Sequence, residues 1–221
     1  MEEIFVFLNA ILRNNNREWF HENKDFYLRA QANFNAIAEQ IIAGVQQFDE
    51  SCRGLSLKDC TYRFYRDTRF SPDKRPYKTH FGVFVCPGGK KSMNSGYYFH
   101  LEPDGAEYLG RNMLCTGMYC PDKTMLNAIR DEILFDAKPL AKAIKAAKHF
   151  SLDTEHNAAR VPNGYPKEHS QAEWLKQRDW LLVRDIPSEM LYSKRLVEWA
   201  LEEFRTTCEF STLLNKAVRS E

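Results

Sequence analysis

The chain has 221 residues, and its 31 basic and 30 acidic side chains give a formal net charge of +1. This balance excludes a protein that coats nucleic acid with a broadly basic surface, but it leaves room for a local basic site. Hydrophobic residues at 43% and charged residues at 28% exclude an intrinsically disordered chain. The sequence has no stretch of about 18 uncharged apolar residues, so we expect no membrane partner. Six cysteines without the basic region of an export signal predict reduced thiols and a cytoplasmic location.

The first third of the chain is predicted to be helical. Residues 4–12 carry apolar side chains at helical spacing, and Asn16 is placed to cap the following helix through its side-chain oxygen. Apolar residues between Trp19 and Phe48 keep to one helical face. That length is unusual for a single helix, so the sequence predicts a break near Ala30.

Between residues 61 and 119 the sequence instead indicates strands. Short segments rich in aromatic and β-branched residues are separated by clusters of turn-forming residues. The predicted strands are 61–68, 80–86, 96–103, 106–111 and 112–119. The clearest hairpin turn is 103–105, because Gly105 accepts the positive φ that such turns need.

Helices are predicted again in the C-terminal half. Asp122 is placed to cap the first of them, and residues 137–148 form a second that carries several lysines. Ser170 and Glu173 have the spacing of a capping box, and Ser188 is placed to start the last long helix.

This order of elements predicts an α+β fold. We expect a single domain over residues 1–221, with an antiparallel sheet of about four to five strands at residues ~61–119. Helices from both ends of the chain would flank that sheet.

A basic segment at residues 61–91 carries the main functional signal. It contains eight basic and two acidic residues, a local charge of 8 − 2 = +6, so the rest of the chain carries 1 − 6 = −5. Arginine offers forked donors that match phosphate or carboxylate oxygens, and aromatic residues interleave with the cations. Pro72 and Pro76 stiffen the loop and reduce its ordering cost on binding. The pattern predicts a site for a phosphate-bearing small molecule or nucleic acid.

A second segment, residues 160–169, could complete the same pocket. It precedes a predicted helix N-terminus, which attracts anions, and it supplies a titratable histidine. The alternative is a helix-entry loop in which Tyr165 serves only for packing. The candidate ligand-binding residues of both segments are Arg63, Arg66, Asp67, Arg69, Asp73, Lys74, Tyr77, Lys78, Arg160, Tyr165 and His169.

Other interpretations of the basic segment are open at this point. The chain could be an enzyme acting on a phosphorylated or carboxylate substrate, with Asp67 or Asp73 as the base. It could instead use a basic edge to dock an acidic partner protein. A purely structural interpretation pairs Arg66 with Asp67 as a link between loop and sheet. The sequence marks no catalytic residue.

We expect no cofactor and no bound metal. His80, Cys86 and His100 lie on neighbouring predicted strands and could meet as metal ligands. Because no spacing fixes the register of those strands, ordinary positions in the sheet are favoured for all three. The sequence leaves the oligomeric state open.

Three motifs resemble the domain of unknown function 2461, a family of conserved hypothetical proteins. They span Asn14–Phe20, Tyr65–Thr79 and Arg160–Tyr165 followed by His169. The family pattern often has Lys and Thr where this chain has Pro72 and Arg75. The similarity extends from about Phe7 to the last helix. The resemblance implies one domain and supplies candidate positions, and it implies no established reaction.

Overall fold

The structure is a computed structural model, and it describes residues 1–219. In this part of the chain the helices are α1 (Glu2–Arg13), α2 (Arg17–Glu22), α3 (Lys24–Phe48), α4 (Leu57–Cys60), α5 (Lys123–Asp136), α6 (Lys138–Ala146), α7 (Ala172–Leu175), α8 (Ser188–Leu191), α9 (Leu196–Thr206) and α10 (Cys208–Arg219), with a 3-10 turn at Glu50–Cys52. The strands are β1 (Phe81–Val85), β2 (Gly96–Leu101), β3 (Met113–Met118), β4 (Ser151–Leu152) and β5 (Trp180–Asp185).

The predicted α+β class is confirmed. The five strands form one antiparallel sheet in the order β1-β2-β3-β5-β4, and helices stand at both ends of the chain. Among the described residues, no helix combines the length and apolar character needed to cross a membrane.

The two faces of the sheet have different environments. Alternate residues such as Val83, Phe99 and Leu114 enter the main hydrophobic core together with apolar residues of α1, α3, α9 and α10. Gly82 pairs with His100 in the register between β1 and β2, so both lie on the opposite face. The candidate site is built at the β1–β2 end of that second face.

The N-terminal helices follow the local signals only in part. The predicted cap is confirmed, because the Asn16 side chain accepts a hydrogen bond from the Trp19 N–H at 2.9 Å. The predicted break near Ala30 is wrong, since α3 continues through this buried residue. The chain breaks earlier, at Asn23, whose side-chain amide donates to the Trp19 carbonyl and ends α2.

Two of the predicted strands do not form. Residues 61–68 make only isolated bridges at Thr61 and Tyr65, because this segment pairs with its own continuation at residues 76–78. Residues 107–111 form bends, and residue 106 has no regular structure. A turn is present at residues 103–105, where Gly105 has a φ of +79°, but it lies within a long loop rather than a tight hairpin.

Two strands lie outside the predicted range of the sheet, at β4 and β5. The apolar run in β5 does not distinguish a buried strand from a buried helix by its periodicity alone. The capping box at Ser170 is absent, since the four-residue α7 begins at Ala172. Ser188 starts only the short α8, and the long helix α9 begins at Leu196. The predicted cap at Asp122 is confirmed by its bond from the Met125 N–H.

Candidate functional site

The basic arm, which we define as residues 63–78, folds back on itself beside β1. The Arg66 N–H donates to the Pro76 carbonyl at 2.9 Å, and the Lys78 N–H donates to the Phe64 carbonyl at 2.9 Å. These two bonds hold the ends of the arm side by side. Residues at the two ends are therefore close in space despite their separation in sequence.

Tyr77 anchors the arm to the N-terminal helices. Its ring stacks on Phe20 with centroids 3.9 Å apart and an interplanar angle of 16°. Its backbone N–H donates to the Asn15 side chain at 3.0 Å, and the Asn15 amide donates to the Tyr77 carbonyl at 2.9 Å. The ring is buried, so the structure gives Tyr77 a packing position rather than one facing a ligand.

Arg66 and Asp73 form an ion-paired buckle inside the arm. Arg66 Nη1 donates to Asp73 Oδ2 at 2.6 Å and to the Arg75 carbonyl at 2.9 Å. Arg75 contacts the same carboxylate at 2.9 Å and also reaches Glu107 at 2.8 Å. Hydrogen bonds from Arg75, followed by those from Arg66, hold the pKa of Asp73 well below its usual range. The charges of Arg66 and Arg75 are thus compensated within the protein.

Asp67 and Arg69 form a second internal pair near the tip of the arm. Arg69 donates to both carboxylate oxygens, at 3.0 and 2.7 Å, and this lowers the pKa of Asp67 to about 2. Lys74 Nζ donates to the Thr68 carbonyl at 3.0 Å. A carboxylate with a pKa this low is a weak general base at neutral pH. The pairing of Asp67, like that of Asp73, therefore counts against the enzymatic interpretation that uses either residue as a base.

The two ends of the arm carry two cations that have no carboxylate of the described chain in direct contact. Within the described residues, neither Arg63 nor Lys78 forms a hydrogen bond or ion pair with a carboxylate. Both line a cavity of about 30 Å³ between the arm, β1 and α3, whose lining includes Gln31, Asn35 and Tyr62. No Asp or Glu of the described chain lines it.

The electrostatic environment of Lys78 reflects this lack of acids. Burial, followed by the positive charge of Arg63, lowers the pKa of Lys78. Its ammonium group lies 5.0 Å from the centroid of the Tyr62 ring, within range of a cation–π interaction. An anion placed between Arg63 and Lys78 would relieve their repulsion.

His80 lines the same cavity without a hydrogen bond. Its side chain is 9% exposed, and Nδ1 is a buried nitrogen with no partner among the described residues. Burial, followed by electrostatic interactions with His100 and Lys78, lowers the pKa of His80 to about 3. The imidazole is therefore neutral at physiological pH and has one donor and one acceptor for a ligand.

A buried polar chain lies behind His80 on β2. Tyr98 Oη lies 2.9 Å from His100 Nδ1, and His100 Nε2 lies 3.1 Å from Glu102 Oε2. Burial raises the pKa of Glu102, but hydrogen bonds from His100 and backbone N–H groups outweigh it and give a net lowering. Because the ionised carboxylate can only accept, His100 Nε2 donates to it and Nδ1 accepts the tyrosine hydroxyl proton.

Glu102 also fixes the loop that follows β2. Its carboxylate accepts three backbone N–H groups, from Tyr108 at 3.0 Å, Leu109 at 2.9 Å and Gly110 at 3.0 Å. This places the Tyr108 ring on His80, with centroids 4.2 Å apart and an interplanar angle of 14°. The buried carboxylate therefore determines where an exposed aromatic ring stands beside the cavity.

The second predicted segment lies on a different element. In residues 160–169, the Tyr165 hydroxyl donates to Asp131 Oδ1 on α5 at 3.1 Å, and the Arg130 guanidinium lies 5.7 Å from the Tyr165 ring. Among the described residues, no hydrogen bond, ion pair or ring contact joins this segment to the basic arm.

The other two candidates of that segment also lie away from the cavity lining. Arg160 is exposed, and His169 Nδ1 accepts the Gln171 N–H at 3.1 Å. The structure thus brings together Arg63 and Lys78 from the predicted set. It gives the remaining candidates partners inside the arm, places in the core, or positions near α5 and α7.

The sequence analysis did not predict that His80 and Tyr108 lie at this candidate site. His80 and His100 do meet across β1 and β2, with ring centroids 5.0 Å apart, but Cys86 contacts Ser92 instead. The described residues contain no group of three His, Cys, Asp or Glu side chains arranged to hold a metal ion. The signal that could have indicated this site is strand alternation, which places Gly82 and His100 on the same face of the sheet.

Comparisons with known proteins identify a family and nothing further. No curated protein and no solved structure matches the chain. The model of the family described as conserved hypothetical protein (DUF2461) matches residues 3–212, which is almost the whole chain. The predicted resemblance is thereby confirmed. The chain belongs to this family of conserved hypothetical proteins.

Proposed function

We propose that this chain binds a phosphate-bearing or other anionic ligand in the cavity lined by Arg63, Lys78 and His80. One observation carries the proposal. Two cations without a carboxylate partner face a single cavity whose lining includes no acidic residue of the described chain. Closely spaced cations are unfavourable unless an anion compensates them, and a guanidinium with an ammonium is a common combination for phosphate or carboxylate.

The size of the cavity limits how much of a ligand it can enclose. Its volume of about 30 Å³ is small. We therefore expect only a terminal anionic group to lie against Arg63 and Lys78, while the rest of the ligand stays outside the cavity. This favours a small molecule with a terminal phosphate or carboxylate over a duplex nucleic acid, whose phosphates are spread along a surface.

The other two interpretations receive less support. For docking of an acidic partner protein, Arg66, Arg69 and Arg75 are less available, because each is paired with an acid of the chain itself. For an enzyme at the same site, His80 offers a nitrogen without a partner in the described chain, but burial holds its pKa at about 3, so it is a weak general base like Asp67. We rank catalysis behind binding because no serine or cysteine of the described chain lines the cavity. A cytoplasmic location stays a prediction.

Thermal unfolding in the presence of phosphate, sugar phosphates, nucleotides and dicarboxylates tests the proposal. A ligand at about 100 times its Kd stabilises the fold by roughly 2.7 kcal/mol, which for this chain length is a shift of roughly 5–10 °C in Tm. We expect this shift in the wild type and in Arg69→Ala, and its loss in the double variant Arg63→Ala/Lys78→Ala. Arg69 is the matched control, because it is an arginine of the same arm paired with Asp67.

The proposal is contradicted if the double variant shows the same shifts as the wild type. It is also contradicted if no anionic compound of the panel shifts the wild type. Circular dichroism of the double variant without ligand shows whether it is folded. A conservative Lys78→Met variant, which keeps the length and apolar character of the stem, provides a second comparison.

A further inference from the structure

We propose that the ligand carries a planar aromatic ring beside its phosphate, as a mononucleotide does, and that Tyr108 stacks on that ring. The inference rests on the proposed function, since it concerns the part of the ligand that the cavity leaves outside. It is supported by the exposure of Tyr108, by the contacts that hold this residue, and by its stack on a histidine that lines the cavity.

Tyr108 presents one face of its ring to solvent. The side chain is 58% exposed although its inner face stacks on His80 at 4.2 Å. Its other ring contact, to His100 at 5.9 Å, lies on the side of the sheet. In the described part of the chain no ring covers the outer face. A base or other planar ring can stack there without displacing a residue.

The exposed ring is also held in place, by hydrogen bonding of its backbone and by its stack on His80. The three hydrogen bonds to Glu102 fix the backbone of residues 108–110, and Glu102 is itself 1% exposed. A ligand that stacks on a fixed ring loses less free energy to side-chain ordering than one that must immobilise a mobile ring. Such preorganisation is typical of a recognition surface.

The Tyr108 ring and the cavity have His80 as a common neighbour. His80 lines the cavity beside Arg63 and Lys78, and its ring stacks on Tyr108. In a mononucleotide one sugar links the base to the phosphate. The phosphate can then enter the cavity while the base covers Tyr108.

The other exposed aromatic ring at the cavity is less suited to stacking. The ammonium groups of Lys78 and Lys90 lie 5.0 and 6.0 Å from the centroid of the Tyr62 ring. These two cations engage the π system of Tyr62 and can neutralise a second phosphate charge. Stacking is therefore assigned to Tyr108 and charge recognition to the residues around Tyr62.

The test compares ligands that differ only in the base. Binding of AMP, CMP, GMP and UMP is measured by calorimetry beside ribose 5-phosphate, which lacks a base, and adenosine, which lacks a phosphate. Stacking of one base on one aromatic side chain corresponds to roughly a 5- to 150-fold gain in affinity. We expect at least one mononucleotide to exceed ribose 5-phosphate by a factor in this range and adenosine to bind more weakly than that nucleotide.

Variants of the tyrosine assign the effect to its ring. Tyr108→Leu is expected to abolish the preference for the nucleotide while leaving the affinity for ribose 5-phosphate unchanged. Tyr108→Phe keeps the ring and is expected to keep the preference. Tyr192→Leu is the matched control, because Tyr192 is 62% exposed and packs near Phe5 on α1.

The possible failures are distinguishable. Equal affinity for ribose 5-phosphate and all four nucleotides, lost in Arg63→Ala/Lys78→Ala, overturns the stacking inference and leaves the anion site intact. A nucleotide preference that survives in Tyr108→Leu also overturns it. If no phosphate compound binds the wild type, the proposed function fails and this inference fails with it.

Discussion

Replacing His80 should change how the stability of this protein depends on pH. His80 is buried between Tyr108, His100 and the cavity, and neither ring nitrogen forms a hydrogen bond in the described chain. Burial holds its folded-state pKa at about 3, against 6.5 for an unperturbed histidine. The folded protein therefore keeps His80 neutral over a pH range in which the unfolded chain protonates it.

The size of the effect follows from proton linkage. Above pH 6.5 both states are neutral at His80, and the residue imposes no pH dependence. As the pH falls from 6.5 towards 3, the unfolded chain binds a proton that the folded protein excludes, so stability decreases with acidification. With the two pKa values above, the loss between pH 8 and pH 5 is roughly 2 kcal/mol from this residue alone.

The prediction is measured by urea unfolding of the wild type and His80→Gln at several pH values between 8 and 5. The variant loses the stack on Tyr108, so we expect a constant offset in stability that does not depend on pH. The informative quantity is the change in unfolding free energy between the two pH limits, which should be roughly 2 kcal/mol smaller in His80→Gln. Replacing the exposed His21 by Gln should leave that change as in the wild type. An identical pH dependence in His80→Gln and the wild type would refute the assignment of a buried, neutral His80.

Three further outcomes follow from contacts around the site. Glu102→Gln should destabilise the fold by roughly 1–3 kcal/mol and speed hydrogen exchange at the amides of residues 108–110, because their shared acceptor loses its charge. Gly82→Ala should cost about 1–3 kcal/mol in urea unfolding, since a Cβ there would overlap the Tyr98 hydroxyl. Asn15→Ala should cost roughly 1–3 kcal/mol by the same measurement, because it leaves two backbone groups of the arm without partners. Unchanged exchange or unfolding free energy in any of these variants would contradict the corresponding contact.

The parts of the fold that could be predicted from the sequence are those that depend on contacts between residues close together in the chain. Asn16 and Asp122 cap helices through bonds to residues three positions ahead, so the signal and its structure lie in the same short segment. The strand β5 depends instead on pairing with β3 and β4, which are distant in sequence. Its apolar residues carry no periodicity that separates a buried strand from a buried helix.

Prediction of the candidate site from the sequence is limited in the same way, because the site depends on contacts between residues that are distant in the chain. The sequence identified the cations of residues 63–78, but their arrangement in space decides which are compensated. Arg66 meets Asp73 seven residues away, whereas Arg75 meets Glu107 from a loop beyond β2. Arg63 and Lys78 remain without a carboxylate because the ends of the arm meet at β1, where the described chain places no acid.

The position of Tyr108 could not be predicted from the sequence. The segment around it has the composition of a weak strand, yet Glu102 accepts its backbone N–H groups and holds it as a loop. A carboxylate six residues away outweighs the local β propensity, because three charge-assisted hydrogen bonds are stronger than a propensity difference. The stack of Tyr108 on His80 is a consequence of that tertiary contact.

Calorimetric titration of inorganic phosphate into the wild type, Arg63→Ala/Lys78→Ala and Arg69→Ala tests the central claim most directly. Phosphate alone probes the cavity without any contribution from a base or sugar. The structure predicts one saturable site per chain in the wild type and in Arg69→Ala, and no saturable binding in the double variant. Equal binding to all three proteins, or no saturable binding to the wild type, would contradict the assignment of an anion site to Arg63 and Lys78.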